Sequence, residues 1–133
     1  MVMWKYAEPM EDRDEIEKFE RDFGYAFENA YVKCAMHNNG GYPSKNSYDT
    51  NKATGRTIKK LLSFNEEDAE NIWKINRLLG SKDSGFVVFA IDSFGNAICF
   101  ARDSGAVVFI DHESDEVEQI AASFEDFLGA LKD

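Results

Sequence analysis

Three short apolar segments separated by turn residues constrain the fold more than any other feature of this sequence. The segments are Phe86–Ile91, Ala97–Ala101 and residues 106–110. The stretches between them, residues 92–96 and 103–105, are rich in Asp, Ser, Asn and Gly, which favour tight turns. Turns at this spacing predict an antiparallel β-meander. The first segment is almost entirely apolar, which is typical of a strand covered on both faces.

Two helices are predicted before the meander, over residues 10–23 and 27–38. Apolar residues recur in each at the spacing of one helix face. Glycine follows each helix closely and favours its end, because glycine adopts the left-handed conformation at low cost. The two apolar stripes consist of Ile16, Phe19 and Phe23 in the first helix and Phe27, Tyr31, Cys34 and Ala35 in the second.

The next part of the chain is predicted to hold a polar loop and then an extended segment. Residues 44–55 are rich in Asn, Ser, Thr, Lys and Gly, a composition typical of a loop. One short strand is expected there, around residues 47–50. Residues 57–64 favour a strand or an extended segment that leads into the next helix.

A middle helix is predicted to follow this segment. Asn65 is its predicted N-cap, Asp68 occupies the third helical position, and Gly80 ends it. Its predicted buried side consists of Ala69, Ile72, Trp73 and Leu79.

The chain closes with an acidic loop, predicted over residues 111–119, and a final helix. Ser123 and Asp126 have the spacing of a capping box at the start of that helix. The sequence therefore predicts an α+β fold in a single domain spanning residues 1–133. We expect an antiparallel-dominated sheet flanked by two N-terminal helices, a middle helix and a C-terminal helix.

Charge restricts the classes of partner. The chain has 25 acidic and 15 basic residues, a formal net charge of −10. Such a protein repels nucleic-acid backbones and anionic membranes, so neither is an expected partner, whereas a basic protein is favoured. No signal-peptide pattern or membrane-length apolar run is present, and we expect a cytoplasmic protein. The sequence leaves the oligomeric state, monomer or weak dimer, open.

Few residues suggest catalysis or metal binding. Cys34 and His37 share a helix face, but no second closely spaced pair accompanies them. His112 stands between two carboxylates, yet neighbouring residues of an extended segment point in opposite directions. Cys99 lies within an apolar strand, which disfavours the thiolate. We therefore predict no enzymatic activity, no metal and no cofactor.

Five runs of residues occur in order between about residue 10 and residue 131. They are Ala26-Phe27 with Tyr31 and Asn38-Asn39-Gly40-Gly41-Tyr42-Pro43; Leu61-Leu62-Ser63-Phe64-Asn65 with Glu70-Asn71-Ile72-Trp73; Phe89-Ala90 with Asp92, Gly95-Asn96 and Ile98-Cys99-Phe100; Val108-Phe109 with Asp111-His112-Glu113; and Ser123-Phe124 with Phe127-Leu128. Together they resemble the SUKH superfamily of SMI/KNR-type domains. One departure is that the superfamily usually has proline after the residue that opens the second helix, whereas Glu28 follows Phe27 here. Glutamate suits a helix N-terminus, so we expect this helix to form.

The resemblance implies an α+β fold and a function. Bacterial members look like immunity proteins encoded beside polymorphic or contact-dependent toxins, and fungal relatives act in the regulation of cell-wall synthesis. The resemblance therefore implies a cognate protein toxin as partner, with a non-catalytic regulatory or scaffold protein as the alternative. No catalytic or partner-binding residues carry over from it.

The partner-binding residues are therefore predicted from charge and residue type. A toxin that cuts nucleic acid needs a basic cleft, and carboxylates can occupy such a cleft by resembling phosphates. Loop tyrosines are common anchors in protein interfaces. A solvated face that only aids solubility is the alternative for the carboxylates. The predicted residues are Asp111, Glu113, Asp115, Glu116, Glu118, Tyr42 and Tyr48.

Overall fold

The computed structural model describes residues 2–10, 14–81 and 84–133. In chain order the elements are β1 (Trp4–Lys5), α1 (Asp14–Phe23), α2 (Asn29–Asn38), β2 (Tyr42–Pro43), β3 (Ser47–Tyr48), β4 (Arg56–Thr57), β5 (Lys60–Leu61), α3 (Ile72–Leu78), β6 (Phe86–Ile91), β7 (Ala97–Ala101), β8 (Val107–Ile110), β9 (Val117–Ala121) and α4 (Phe124–Ala130). All of these strands pair in antiparallel fashion. The predicted α+β class is confirmed.

The central sheet has the strand order β5-β6-β7-β8-β9. Its middle strands, β6 to β8, are the predicted meander, which is confirmed. The register places Cys99 opposite both Val88 and Val108. Because side chains alternate along a strand, the sheet has two distinct faces. The inner face carries Phe89 and Phe100, which pack against Tyr31 of α2 and Phe124 of α4. The outer face carries Cys99, Val88 and Val108.

Strand β9 lies where the sequence predicts only an acidic loop, so that prediction is wrong for residues 117–119. Val117 pairs with Ile110, and Glu118 pairs with Phe109. Glu118 is buried, with 5% of its surface exposed. Charged residues are rarely buried unless paired, so the sequence alone gave no reason to expect a strand here.

Helix α1 buries its predicted apolar stripe. The predicted start at residue 10 is wrong, because that residue is not helical, and residues 11–13 lie outside the described part of the chain. The helix ends before Gly24, whose φ of +66° is the left-handed conformation expected there. Helix α2 buries Tyr31 and Ala35 and ends near Gly40, which has a φ of +67°.

Helix α3 begins six residues later than predicted. Asn71, not Asn65, is the N-cap, and its Oδ1 accepts a hydrogen bond from the Lys74 amide at 2.8 Å. Asn65 instead donates from Nδ2 to the Pro9 carbonyl at 2.6 Å. This long-range bond, together with the Ser63–Asp68 side-chain bond, holds the intervening residues in turns. Ala69 and Leu79, predicted to be buried, are exposed.

The segment from residue 44 to residue 64 is only partly extended. The short strand expected around residues 47–50 is confirmed as β3, which pairs with β4. Residues 57–64 do not form one strand, and the other alternative, an extended segment that leads toward the next helix, fits them better. The chain leaves β4, crosses to the central sheet and adds β5 beside β6.

Aromatic rings form the core between the helices and the inner face. Tyr31 of α2 lies at its centre, with ring centroids at 5.6 Å from Phe89, 5.2 Å from Phe100 and 5.3 Å from Phe124. Burial of each large apolar side chain stabilises the fold by about 1.5–3 kcal/mol. Phe19 of α1 extends the cluster to Trp73 at 5.2 Å.

Two asparagine side chains bond to backbone groups of the central sheet, one at β6 and one at β9, its edge strand. Asn76 of α3 donates from Nδ2 to the Val88 carbonyl at 2.9 Å, and its Oδ1 accepts from the Val88 amide at 2.8 Å. At β9, the Asn51 amide donates to the Gln119 carbonyl at 3.1 Å, and Asn51 Oδ1 accepts from the Gln119 amide at 3.0 Å. Unpaired edge groups are a site of aggregation, and the Asn51 contacts satisfy those of Gln119.

Glu28, which precedes α2, and Ser123 both cap the N-terminus of α4, the last helix. Ser123 Oγ accepts from the Asp126 amide at 3.1 Å, which confirms the predicted cap. Glu28, expected to favour α2, makes no side-chain cap there. Its carboxylate instead accepts from the amides of Phe124 at 2.8 Å and Glu125 at 3.3 Å. The residue that replaces proline in the family pattern therefore joins α2 to α4.

Candidate partner-binding site

The acidic loop, residues 111–116, connects β8 to β9 and has a defined backbone. The Asp111 amide donates to the Glu116 carbonyl at 3.0 Å, and the Asp115 amide donates to the Asp111 carbonyl at 2.9 Å. Asp115 adopts a positive φ of 61°, which Asp tolerates better than most residues. The loop thus presents its side chains from a fixed turn.

Asp111 organises this turn. Its Oδ1 accepts hydrogen bonds from the amides of Glu113 at 2.8 Å and Ser114 at 3.1 Å. These bonds stabilise the charged carboxylate and lower the pKa of Asp111 below its ordinary value. Asp111 therefore shapes the loop, while the other three predicted carboxylates, on Glu113, Asp115 and Glu116, are exposed.

Glu118 is not part of this exposed surface, and the prediction that it is accessible to a partner is wrong. The Arg56 guanidinium donates from Nε to Oε1 and from Nη2 to Oε2, both at 2.7 Å. The Thr50 hydroxyl donates to Oε1 at 2.7 Å. The Arg56 bonds, supported by Thr50, lower the pKa of Glu118 despite the opposing effect of burial.

The two predicted tyrosines differ. Tyr48 is fully buried, with 0% of its surface exposed and its ring 5.8 Å from Phe127, so its prediction as an exposed loop anchor is wrong. Burial raises its pKa well above the ordinary value. Tyr42 is half-buried on β2, with its ring 5.7 Å from exposed Tyr6 and 5.2 Å from Lys60 Nζ. Strand β2 pairs with β1 and lies outside the sheet that carries the acidic loop.

The turn between β6 and β7 lies beside the acidic loop. Asp92 Oδ1 accepts from the amides of Phe94 and Asn96, each at 2.8 Å, as predicted for a tight turn. Asn96 Oδ1 then accepts from the His112 amide at 3.0 Å, which joins the turn to the loop. Phe94 projects from the turn with 73% of its surface exposed. Its exposure was not predicted from the sequence, although an aromatic residue in a predicted turn was a usable signal.

A second missed feature is an apolar groove on the outer face of the sheet, which we call the outer-face groove. It lies between the C-terminal end of α3 and the first residue of β9, and Asp115 of the acidic loop stands at its rim. The signal was the apolar run of β6, which implies apolar side chains on both faces. The groove is defined by Leu79, Phe86, Val88, Ala97, Ile110 and Val117.

The thiols and imidazoles do not form a reactive cluster. Burial raises the pKa of Cys34 to about 11 and that of Cys99 further. His37 Nδ1 lies 2.8 Å from the Lys33 carbonyl of its own helix. Within residues 2–10, 14–81 and 84–133, no three His, Cys, Asp or Glu side chains are grouped so that they can hold a metal ion.

Comparison with known families gives one match. The model of the SMI1 / KNR4 family (SUKH-1) matches residues 11–130, nearly the whole chain. This confirms the resemblance read from the sequence. No curated protein matches the chain. None of the described helices is long and apolar enough to cross a membrane.

Proposed function

The chain belongs to the SMI1 / KNR4 family (SUKH-1), and from that premise we propose that it is an immunity protein. It binds a toxin protein and blocks the toxin's activity without chemistry of its own. The toxin is of the nuclease type, and neutralisation takes place in the cytoplasm, where the two cysteines remain free thiols.

The acidic loop is the observation that carries this proposal. Its exposed carboxylates, on Glu113, Asp115 and Glu116, stand on a backbone already fixed by hydrogen bonds. A nuclease holds phosphates in a basic cleft. A fixed acidic loop can enter such a cleft with little loss of conformational freedom, which favours tight binding.

The surroundings of the loop suit an interface. Phe94 offers an exposed aromatic ring in the turn that is bonded to the acidic loop, and interfaces combine apolar anchors with a charged rim. The net charge of −10 speeds encounter with a basic protein. We expect an interface of standard size, about 1,200–2,000 Å². Nanomolar affinity, about −12 kcal/mol, is the corresponding expectation.

The buried groups support a non-catalytic role. Cys99 is fully buried, and the pKa of Cys34 is raised, so neither thiol is a ready nucleophile at neutral pH. His112 is exposed in the acidic loop. Among the described residues, its one ion-pair contact is with the Glu113 carboxylate, which lies 3.9 Å from Nε2.

Co-expression tests the proposal. Where a neighbouring gene encodes a secreted protein with a toxic C-terminal domain, that domain is expressed in a host cell with and without this chain. We expect growth arrest by the domain alone, recovery with the wild-type chain, and co-purification of the two proteins as a complex. Arrest that persists in the presence of well-folded chain contradicts the proposal. Such a result favours the regulatory or scaffold alternative.

A matched pair of triple variants tests the role of the loop. Glu113→Gln, Asp115→Asn and Glu116→Gln remove three charges from the acidic loop. Asn is chosen at position 115 because it tolerates the positive φ. The control removes three charges from α1, through Glu15→Gln, Glu17→Gln and Asp22→Asn. We expect loss of protection by the loop variant and full protection by the control.

A further inference from the structure

The outer-face groove is the middle one of a row of three concavities on this face of the sheet. The middle one has a volume of about 220 Å³ and shares Phe86 with a concavity of about 420 Å³ beside the β7–β8 turn. It shares Leu79 and Ala97 with one of about 310 Å³ beside the β6–β7 turn. The row therefore crosses the outer face from one end of the hairpins to the other.

The walls of the groove include apolar side chains that are partly exposed to solvent. Leu79 has 57% of its surface exposed at the end of α3, and Val117 has 36% exposed at the start of β9. The two residues line the same concavity, above a floor formed by Val88 and Cys99. An exposed apolar depression with polar surroundings is typical of an interaction site.

The described residues that line the three concavities include more acidic than basic side chains. Lys59, which lines the concavity beside the β6–β7 turn, is 3.2 Å from the Glu70 carboxylate, and Lys60 approaches the same carboxylate at 3.7 Å. Arg102 donates to the carbonyls of Gly24 at 3.1 Å and Ser81 at 2.6 Å, which hold the guanidinium in place but leave its charge. The negative balance comes from the acidic lining residues, which are Glu70, Asp92, Asp103 and Asp115. Asp115 lines the middle concavity without a salt-bridge partner among the described residues. The rim therefore favours a positively charged occupant.

The dimensions favour an extended occupant. Small-molecule pockets have volumes of about 300–1,000 Å³, and each concavity is at or below the lower part of that range. Three separate concavities of this size suit individual side chains better than one compact ligand or a helix, which is about 10 Å across. Concavities arranged in a row suit the alternating side chains of an extended chain.

We propose that the outer-face groove receives an extended basic segment of the toxin, whose apolar side chains lie between Leu79 and Val117 and whose lysines or arginines face the acidic loop. This proposal rests on the proposed function and adds the face of the sheet and the kind of segment that binds. The acidic loop and the groove then form one continuous interface.

A peptide titration tests the chemistry of the groove without the toxin. The probe is a short synthetic peptide of alternating lysine and leucine, followed in the amide NMR spectrum of the isotope-labelled chain. We expect shifts at Val88, Cys99, Ile110 and Val117. Peptides of alternating glutamate and leucine, or of lysine and serine, serve as controls and are expected to bind at least about tenfold more weakly. Shifts dispersed over α1, or equal binding of the lysine–serine peptide, overturn the proposal.

A pair of variants tests whether the toxin uses this face. Leu79→Lys places a positive charge in the groove wall. The control, Met3→Lys, makes the same kind of change at an exposed apolar residue that does not line the groove. We expect Leu79→Lys to raise the Kd for the toxin domain at least about tenfold and Met3→Lys to leave it unchanged.

The results separate the two proposals. If the wild-type chain neutralises the toxin and Leu79→Lys binds it equally well, the groove proposal fails while the proposed function stands. If the wild-type chain does not bind the toxin but the lysine–leucine peptide occupies the groove, the proposed function fails. The groove then remains a site for a basic segment of another protein.

Discussion

The Arg56 guanidinium clamps the Glu118 carboxylate with two hydrogen bonds of 2.7 Å, and Arg56 Cζ lies 3.9 Å from the centroid of the Phe109 ring. Arg56 belongs to β4 and Glu118 to β9, 62 residues away. The pair therefore fastens the β3–β4 hairpin over the last strand of the central sheet. It also holds the strand that follows the acidic loop.

Removal of the Glu118 charge should destabilise the fold. Glu118→Gln leaves a largely covered guanidinium without its counter-charge, and we expect the free energy of unfolding to fall by about 1–3 kcal/mol. Chemical denaturation at neutral pH measures this change. The control is Glu66→Gln, which breaks an exposed pair with Lys18 at 3.9 Å and should cost less than about 1 kcal/mol. Equal effects of the two variants would show that the clamp adds no stability.

The same pair predicts a pH dependence. Since the pKa of Glu118 is lower in the folded state than in the unfolded chain, the folded state binds fewer protons. The stabilisation is complete above the unfolded pKa of about 4.3 and is lost as the pH falls through the folded pKa. We expect the stability difference between wild type and Glu118→Gln to shrink below about pH 4. A difference that stays constant on acidification would contradict this assignment.

The Glu28 carboxylate should stabilise α4. Glu28→Ala removes the acceptor for the Phe124 and Glu125 amides, and loss of a helix cap costs about 0.5–2 kcal/mol. We expect faster hydrogen exchange at the Phe124 amide and a lower free energy of unfolding. Glu28→Gln keeps one acceptor oxygen and should lose less. Unchanged exchange in Glu28→Ala would rule out this capping role.

Because Tyr48 is buried, we predict that its side chain takes no part in binding the toxin. Its hydroxyl has no hydrogen-bond partner among the described residues, so Tyr48→Phe should keep or slightly raise stability and leave toxin binding unchanged. Tyr48→Ala should lower the free energy of unfolding by about 3–5 kcal/mol, because it leaves a cavity beside Phe127. Denaturation and a binding isotherm measure both effects. Loss of binding by well-folded Tyr48→Phe would return this tyrosine to the interface.

The fold was predictable where local pattern determined it. The meander followed from apolar runs and turn residues, and Ser123 marked the last helix. The wrong predictions concern elements whose position depends on contacts with residues that are distant in the sequence. Asn65 and Asn71 are both plausible caps by local sequence, and the bond from Asn65 to Pro9 selects between them. Glu118 can be buried within strand β9 because the Arg56 guanidinium compensates its negative charge. No local sequence pattern reveals this pairing.

In the candidate site too, some features follow from local sequence and others depend on contacts between distant residues. Three exposed carboxylates of the acidic loop were predictable from their sequence, because a run of charged residues that follows an apolar strand is rarely buried. The outer-face groove was not, since it depends on where the end of α3 places Leu79 relative to Val117. Tyr48 was misassigned because its neighbours in sequence are polar while its neighbour in space, Phe127, is not.

The salt dependence of the association rate with the toxin domain tests most directly whether charge on the acidic loop drives binding. At low ionic strength we expect the triple variant Glu113→Gln, Asp115→Asn, Glu116→Gln to associate about tenfold more slowly than wild type. At about 1 M salt, where the screening length is about 3 Å, the difference should vanish. The α1 control with the same change in charge should stay within about twofold of wild type. Equal slowing by both triple variants, or a wild-type rate that does not change with salt, would contradict the account.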